Sequence, residues 1–209
     1  MTTFELTPAG LVLGVDNRLR PQWATTSQLL QDYYDYEWGR PPKTESEMFE
    51  RIVLEGFQAG LSWEIVLKKR PAFREAFCDF EVDRIASFGE ADVAKLLANP
   101  DIIRNQNKIR AAINNAQRVQ QLRAETDLIT FLQNFAPVAW ERPTSLEQAK
   151  TKSAESAAMA RELRRRGFKF VGETTCFALM EATGMIDNRI VGAAALLDVP
   201  DSNGLLQTS

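Results

Sequence analysis

Apolar residues recur at intervals of three and four along most of the chain, and the clearest case follows Thr44. Thr44 and Glu47 form a capping-box pair, Thr-Glu-Ser-Glu, of the kind that opens an α-helix. The apolar positions that follow would share one helix face: Met48, Phe49, Ile52, Val53, Gly56 and Phe57. This stripe predicts a helix with one buried side.

Similar spacing in the rest of the chain predicts an all-α protein. Further helices are expected over residues 63–69, 73–77, 82–87, 91–97, from the turn at 99–108 to Leu122, and over 128–135, 153–166 and 175–182. Pro71 is expected to stop the helix that begins at Trp63. Residues 168–175 have strand-like composition, but no partner strand is visible, so they are interpreted as a turn. We expect a tail over 1–20, one domain of two helical lobes over 21–197, and a second tail over 198–209.

The chain contains no histidine, which excludes Ser-His and Cys-His catalysis and every mixed Cys/His zinc site. Acid-base chemistry must then fall to carboxylates, lysines or tyrosines. The two cysteines, Cys78 and Cys176, are far apart and form no metal-binding pair. No apolar run approaches the ~18 residues of a membrane span, and no signal-peptide pattern opens the chain, so a cytoplasmic location is expected.

Glu55 falls beside Met48 and Ile52 at helical spacing, on the edge of the apolar stripe. A carboxylate there is partly desolvated, which raises its pKa unless a cation or donor compensates. Aromatic residues are dense around it: Tyr33, Tyr34, Tyr36, Trp38, Phe57 and Trp63. Such a set can stack on an electron-poor or cationic heterocycle while the carboxylate accepts its N–H groups. The alternative is a surface glutamate beside ordinary core aromatics.

The turn at residues 99–108 offers main-chain N–H groups next to a helix N-terminus, with Arg104, Lys108 and Arg110 nearby. This combination is suited to one phosphate, although an ordinary helical corner has the same pattern. Two further basic clusters are Lys68-Lys69-Arg70 and Arg161 with Arg164-Arg165-Arg166 and Lys169. The formal net charge is −3, so a DNA-binding face would need these cations to be segregated on one side.

Four segments of the chain together resemble the 3-methyladenine DNA glycosylase I family, within the helix-hairpin-helix superfamily. They are Tyr33-Tyr-Asp-Tyr-Glu-Trp-Gly39, Leu54-Glu-Gly-Phe-Gln-Ala-Gly-Leu-Ser-Trp63 with Leu67-Lys-Lys-Arg70, Ile102-Ile-Arg-Asn105 with Lys108-Ile109, and Arg166-Gly-Phe-Lys-Phe-Val-Gly172. The similarity runs from about Arg20 to Ala194. Long motifs of this type are specific, and they imply an all-α, two-lobe helix-hairpin-helix DNA glycosylase fold with the base pocket between the lobes.

The resemblance also implies which residues form the site. Glu55 corresponds to the carboxylate of the pocket, and the aromatic lining corresponds to Tyr33, Trp38 and Trp63. The hairpin that grips the DNA backbone corresponds to about 99–108, and the DNA-binding residues expected there and beyond it are Arg104, Asn105, Lys108 and Lys169. Asp101 stands where relatives usually have the hairpin glycine, and its charge would repel a phosphate.

The family typically holds one structural zinc ion with two cysteines and two histidines. Those positions are here Pro21, Tyr34, Arg189 and Ala193. All four ligands are absent, so zinc cannot bind in the family manner, and no cofactor is expected. Packing by Pro21 and Tyr34, with polar contacts from Arg189, is expected to take the place of the metal.

The resemblance predicts a monofunctional base-excision repair enzyme that flips 3-methyladenine out of double-stranded DNA and hydrolyses its glycosidic bond. No lysine is a clear candidate for a Schiff base. Free 3-methyladenine would be the product ligand and a monomer the expected state. Alternatives are a catalytically weakened or inactive DNA- or nucleobase-binding relative, and a glycosylase for another lesion, since Leu30 lies where some relatives have an aromatic residue. A helical metabolic enzyme unrelated to DNA is a further alternative.

Overall fold

The computed structural model describes residues 6–198 and consists mainly of α-helices, which confirms the predicted all-α class. The helices are α1 (Gln28–Tyr36), α2 (Glu45–Gln58), α3 (Trp63–Ala76), α4 (Val82–Ala86), α5 (Glu90–Ala98), α6 (Gln106–Leu122), α7 (Leu128–Gln133), α8 (Ala154–Arg165) and α9 (Glu173–Ala182). Within residues 6–198, no helix has the length and apolar character needed to cross a bilayer.

Helix α2 is the centre of the molecule. Its first turn is capped as predicted, because the Thr44 hydroxyl accepts a hydrogen bond from the backbone N–H of Glu47 at 3.2 Å. The Glu47 carboxylate bonds the backbone N–H of Lys43 rather than that of Thr44. Every residue of α2 from Ile52 to Phe57 is buried, and the helix packs against α3, α6, α7 and α9. A side chain near the end of α2 is therefore held on a rigid base.

The prediction that Pro71 stops the helix beginning at Trp63 is wrong, since α3 continues through Pro71 to Ala76. Pro71 itself lies on the exposed side of the helix, where its ring meets no packed neighbour. Beyond it, Phe73 and Phe77 are fully buried, and Phe73 meets Phe57 of α2 with ring centroids 4.7 Å apart. Tertiary packing of these rings outweighs the local cost of the proline.

The region predicted as an N-terminal tail contains an ordered antiparallel hairpin, with β1 (Leu11–Leu13) paired to β2 (Leu19–Pro21). Arg20 in β2 is 1% exposed, and its guanidinium forms an ion pair with Asp35 of α1 at 2.6 Å. The folded unit therefore begins before the predicted boundary at residue 21. Residues 1–5, and residues 199–209 of the predicted C-terminal tail, lie outside the described part.

Residues 168–172 form an irregular turn into α9, as expected, and α9 begins at Glu173 rather than at residue 175. The predicted corner is also present: α5 ends at Ala98, and α6 begins at Gln106 behind an Asn105 side chain that accepts from the backbone N–H of Lys108 at 3.1 Å. Helix α2 contacts α3, α6 and α9. The predicted pocket on α2 and the predicted hairpin before α6 therefore lie on adjoining parts of the molecule.

Candidate active site

A cavity of about 660 Å³ opens between α1, α2 and α3 on one side and α9 with the segment after it on the other. Four residues predicted for the pocket line it together: Tyr33, Trp38, Glu55 and Trp63. Its apolar base is a small cluster separate from the main core, in which Leu30, Tyr33 and Leu67 are buried and Trp38 and Trp63 pack against them. The cavity has the size and mixed lining of a small-molecule site.

Glu55 reaches this cavity from the last turn of α2 and is only 5% exposed. Among the described residues, it has neither a hydrogen-bond donor nor an ion-pair partner. Burial, reinforced by the charge of Glu181, raises the pKa of Glu55 to about 8, and Arg51 opposes this only in part. A carboxylate with open oxygens in an apolar cavity is suited to a ligand that brings its own N–H donors or positive charge.

The aromatic residues that line the cavity with Glu55 contact one another in two groups. Tyr33 and Trp63 lie against each other with ring centroids 5.4 Å apart and planes tilted by 54°. Trp38 stacks on Tyr34 at 5.5 Å, and the edge of Trp23 meets Trp38 at 5.8 Å. Such surfaces can hold a planar base by stacking.

Arg51, the cation nearest to Glu55 in the sequence of α2, is committed to a neighbouring ion pair. The Glu37 carboxylate binds both Arg51 and Arg70. Burial favours protonation of Glu37, but the two guanidinium groups outweigh it, so the pKa of Glu37 is lowered. Because Arg51 is bound to Glu37, it forms no ion pair with Glu55.

Among the cavity residues that sequence analysis missed are Trp23, Glu181 and Asn188. Trp23 lies in a short 3₁₀ helix next to β2, where no helical spacing marked it. Glu181 carried a usable signal, because it is the only charged residue between Glu173 and Asp187, within an otherwise apolar helix. Asn188 has no comparable signal, since a loop asparagine most often caps or turns the backbone.

The residues at the family's zinc positions do not fit a metal. The Arg189 guanidinium lies over the rings of Tyr34 and Trp38, at 5.1 and 4.8 Å from their centroids, and donates to the backbone oxygens of both residues. The Tyr34 hydroxyl donates to the backbone oxygen of Ala194 at 3.4 Å. Pro21 and Ala193 have no side-chain atom that could bind a metal. Arg189 is itself a cation, and it lies against Tyr34. Across residues 6–198, no cluster of three or more His, Cys, Asp or Glu side chains could hold a metal ion.

At the predicted DNA-binding hairpin, hydrogen bonds with two side chains hold the turn between α5 and α6. The Asn99 side chain accepts from the backbone N–H of Asp101, and the Lys69 ammonium donates to the carbonyl oxygens of Pro100 and Asp101, both at 3.1 Å. Arg104 and Asn105 are exposed at the start of α6. Their contact with DNA stays a prediction, and the exposed turn leaves room for it.

Lys108 connects the hairpin to the pocket helix. Its side chain is buried, and its ammonium donates to the carbonyl oxygens of Phe57 and Ala59 at the end of α2, at 2.9 and 2.6 Å. Burial lowers the pKa of Lys108. The lysine thus has two partners within the chain, and a contact with DNA stays a prediction.

Lys169 is exposed on a loop that α6 holds rigidly. The Asn115 side chain accepts from the backbone N–H of Lys169 at 2.8 Å and donates to its carbonyl oxygen at 3.0 Å. Lys169 and Lys108 border the same small surface groove. Arg110, by contrast, forms an ion pair with Glu90 of α5 at 2.6 Å.

Comparison with known proteins gives concordant matches over most of the chain. The family model described as methyladenine glycosylase matches residues 23–195. The DNA-3-methyladenine glycosylase of Haemophilus influenzae is 37% identical over 175 residues, which cover 82% of this chain and 94% of that protein. A crystal structure of 3-methyladenine DNA glycosylase I superimposes with a TM-score of 0.80 at 39% identity, over 84% of this chain and 98% of the other. A structure of 3-methyladenine DNA glycosylase I from Staphylococcus aureus, which gives the structural basis of 3-methyladenine recognition by that enzyme, superimposes with a TM-score of 0.75 at 30% identity. The match covers 79% of this chain and 90% of the other.

Proposed function

Since the chain belongs to the methyladenine glycosylase family, we propose that it is a DNA repair enzyme which flips 3-methyladenine out of DNA and hydrolyses its glycosidic bond. The observation that carries this proposal is the juxtaposition of buried Glu55 with Tyr33, Trp38 and Trp63 in one cavity. A flipped base can stack on these rings while Glu55 accepts its N–H groups.

The reaction requires little of the protein beyond binding of the flipped base. A 3-methylated adenine in DNA carries a positive charge, so its bond to the sugar is already weak. Water forms a bond to C1′ while the C1′–N9 bond breaks, and the bonding electrons leave with the base. The base departs as neutral 3-methyladenine, the water loses one proton, and an abasic site remains. Extruding the base costs a few kcal/mol, and damaged pairing lowers that cost.

We propose that the enzyme is monofunctional and leaves the strand uncut. Lys150 lines the cavity, but its ammonium lies 5.1 Å from the centroid of the Trp140 ring, which is a cation–π position away from Glu55's helix. A Schiff base would need this lysine to leave that ring and lose its proton. Treatment with borohydride during turnover should therefore trap no protein–DNA adduct.

A narrower question within this function is the range of lesions. Leu30, which is 6% exposed, lines the cavity where an aromatic residue would offer a further stacking surface. A leucine leaves the base held mainly by Tyr33, Trp38 and Trp63. We propose that this favours adenine with a small N3-alkyl group, because these three rings alone can hold a base of that size.

We also propose that the enzyme works as a monomer in the cytoplasm. Cys78 and Cys176 are both free thiols, as is usual in a reducing compartment. Light scattering at micromolar concentration should give the mass of one chain.

The experiment that tests the proposed function is incubation of the purified protein with methylated duplex DNA, followed by chromatography of the released bases. Release of 3-methyladenine, with abasic sites but no strand breaks before alkali, is expected. A protein that binds free 3-methyladenine without releasing any from DNA would instead be a nucleobase-binding relative that has lost excision.

A further inference from the structure

Glu181 lines the same cavity as Glu55 but has no part in the reaction described above. It extends from α9, which packs against α2, so the two carboxylates enter the cavity from different helices. In the described part of the chain, neither carboxylate has an ion-pair partner.

Asn188 holds the Glu181 side chain in place on this wall. Its side-chain nitrogen donates to one Glu181 carboxylate oxygen at 2.7 Å and to the backbone oxygen of Lys150 at 3.1 Å, which uses both amide hydrogens. The second Glu181 oxygen accepts no hydrogen bond from residues 6–198. The wall therefore presents a carboxylate oxygen that lacks a donor, which a bound ligand would satisfy.

The charged groups around the cavity do not neutralise this pair. Arg51 is bound to Glu37, and Lys150 lies over Trp140. Arg189 is stacked on Trp38, and Glu64 at the cavity mouth forms an ion pair with Lys68 at 2.9 Å. Two carboxylates in one poorly solvated cavity repel each other, so the empty pair retains a proton near neutral pH. Burial raises the pKa of Glu181 to about 7, against the opposing donation from Asn188.

We propose that Glu55 and Glu181 act as a pair that selects positively charged bases, with Glu181, held by Asn188, as a specificity-determining residue. The inference rests on the proposed function and identifies the substrate class as cationic N3-alkylated purines. The positive charge of a cationic base stabilises both carboxylates in their ionised form. The proton that the empty pair retained then leaves to solvent. A neutral purine brings no such charge and has to bind with the proton in place.

The same exchange explains how the product can leave. When the C1′–N9 bond breaks, its electron pair neutralises the base, and the cavity again holds two carboxylates without a cation. The pair then takes up one proton from solvent and returns to its resting state. The charge attraction that held the substrate is therefore absent for the product.

The test compares two free-base probes that share a ring and differ in charge. 3,9-Dimethyladeninium has a fixed positive charge near neutral pH, with a methyl group in place of the sugar, and 3-methyladenine is its neutral counterpart. Dissociation constants are measured by quenching of tryptophan fluorescence for the wild type, Glu181→Gln and Glu75→Gln. Glutamine keeps an oxygen for Asn188 and removes only the charge. Glu75→Gln removes an exposed carboxylate of α3 that does not line the cavity, and is the matched control.

We expect Glu181→Gln to weaken binding of the cationic probe by about 10-fold or more, since a charge-assisted contact is lost, and to change binding of 3-methyladenine by less than about threefold. Glu75→Gln should leave both constants unchanged. If the wild type releases 3-methyladenine from DNA but Glu181→Gln keeps the full preference for the cation, the selectivity inference alone is overturned. If the wild type neither binds a probe nor releases the base, the proposed function fails as well.

Discussion

The guanidinium of Arg189 lies 4.8 Å from the centroid of the Trp38 indole, at the place where the related family has a zinc ligand. Both residues line the cavity, so their contact supports its wall. The same end of the chain is tied down by other arginines: Arg18 and Arg40 donate to the backbone oxygens of Ala195 and Leu197, at 2.6 and 2.7 Å. Arginine side chains and backbone acceptors thus connect residues 189–197 with residues 18–40.

Replacing Arg189 with alanine should destabilise the protein. The variant loses the stacked cation and its bonds to the carbonyl oxygens of Tyr34 and Trp38, so the free energy of unfolding should fall by about 2–4 kcal/mol. Urea unfolding measures this change, and Arg161→Ala, on the exposed face of α8, is the control with an expected change within about 0.5 kcal/mol. EDTA should not move the wild-type midpoint. A large loss of stability with EDTA would mean that a metal still supports this region.

The carboxylate pair should make stability depend on pH. The pKa of Glu55 is raised to about 8 and that of Glu181 to about 7, above the 4.5 of an unperturbed glutamate. The folded state therefore holds these protons more tightly than the unfolded state. This contribution is fully present below pH 4.5 and is lost as the pH rises through 7 and 8.

The measurement is the free energy of unfolding from pH 5 to 8 for the wild type and for the double variant Glu55→Gln, Glu181→Gln. The difference between the two curves removes the effect of all other groups. We expect the wild type to lose stability relative to the double variant as the pH rises. Parallel curves would show that the two carboxylates titrate normally.

Arg104 tests the predicted contact of the hairpin with DNA. If it neutralises one phosphate, Arg104→Ala should weaken binding to undamaged duplex and lower the slope of log K against log salt by about 0.9. Arg84→Ala, at an exposed position of α4, is the control and should leave the slope unchanged. An unchanged slope in Arg104→Ala would place the phosphate contact elsewhere.

Lys108 is expected to act mainly on stability. Lys108→Met removes the donor from the carbonyl oxygens of Phe57 and Ala59, and the free energy of unfolding should fall by about 1–3 kcal/mol. Its effect on the salt slope should be smaller than that of Arg104→Ala, because the ammonium already has two acceptors within the chain. Equal effects on the slope would mean that Lys108 turns outward to a phosphate in the complex.

Local patterns predicted those parts of the fold in which sequence and packing agree. The spacing after Thr44 identified α2 and placed Glu55 at its buried edge, and the resemblance named the aromatic residues that the structure brings around it. The continuation of α3 through Pro71 depends on Phe73 and Phe77 meeting Phe57, which only the assembled core provides. The pairing of Glu55 with Glu181 joins positions on two helices that are distant in the chain, so no local spacing could reveal it.

The most direct test is the rate of 3-methyladenine release from methylated duplex DNA by the wild type, Glu55→Gln and Glu75→Gln. We expect Glu55→Gln to lose about 10- to 100-fold in kcat/KM, because a buried charged acceptor is replaced by an amide, while Glu75→Gln, exposed on α3, keeps the wild-type rate. Full activity in Glu55→Gln would contradict the role of Glu55 as the group that reads the base.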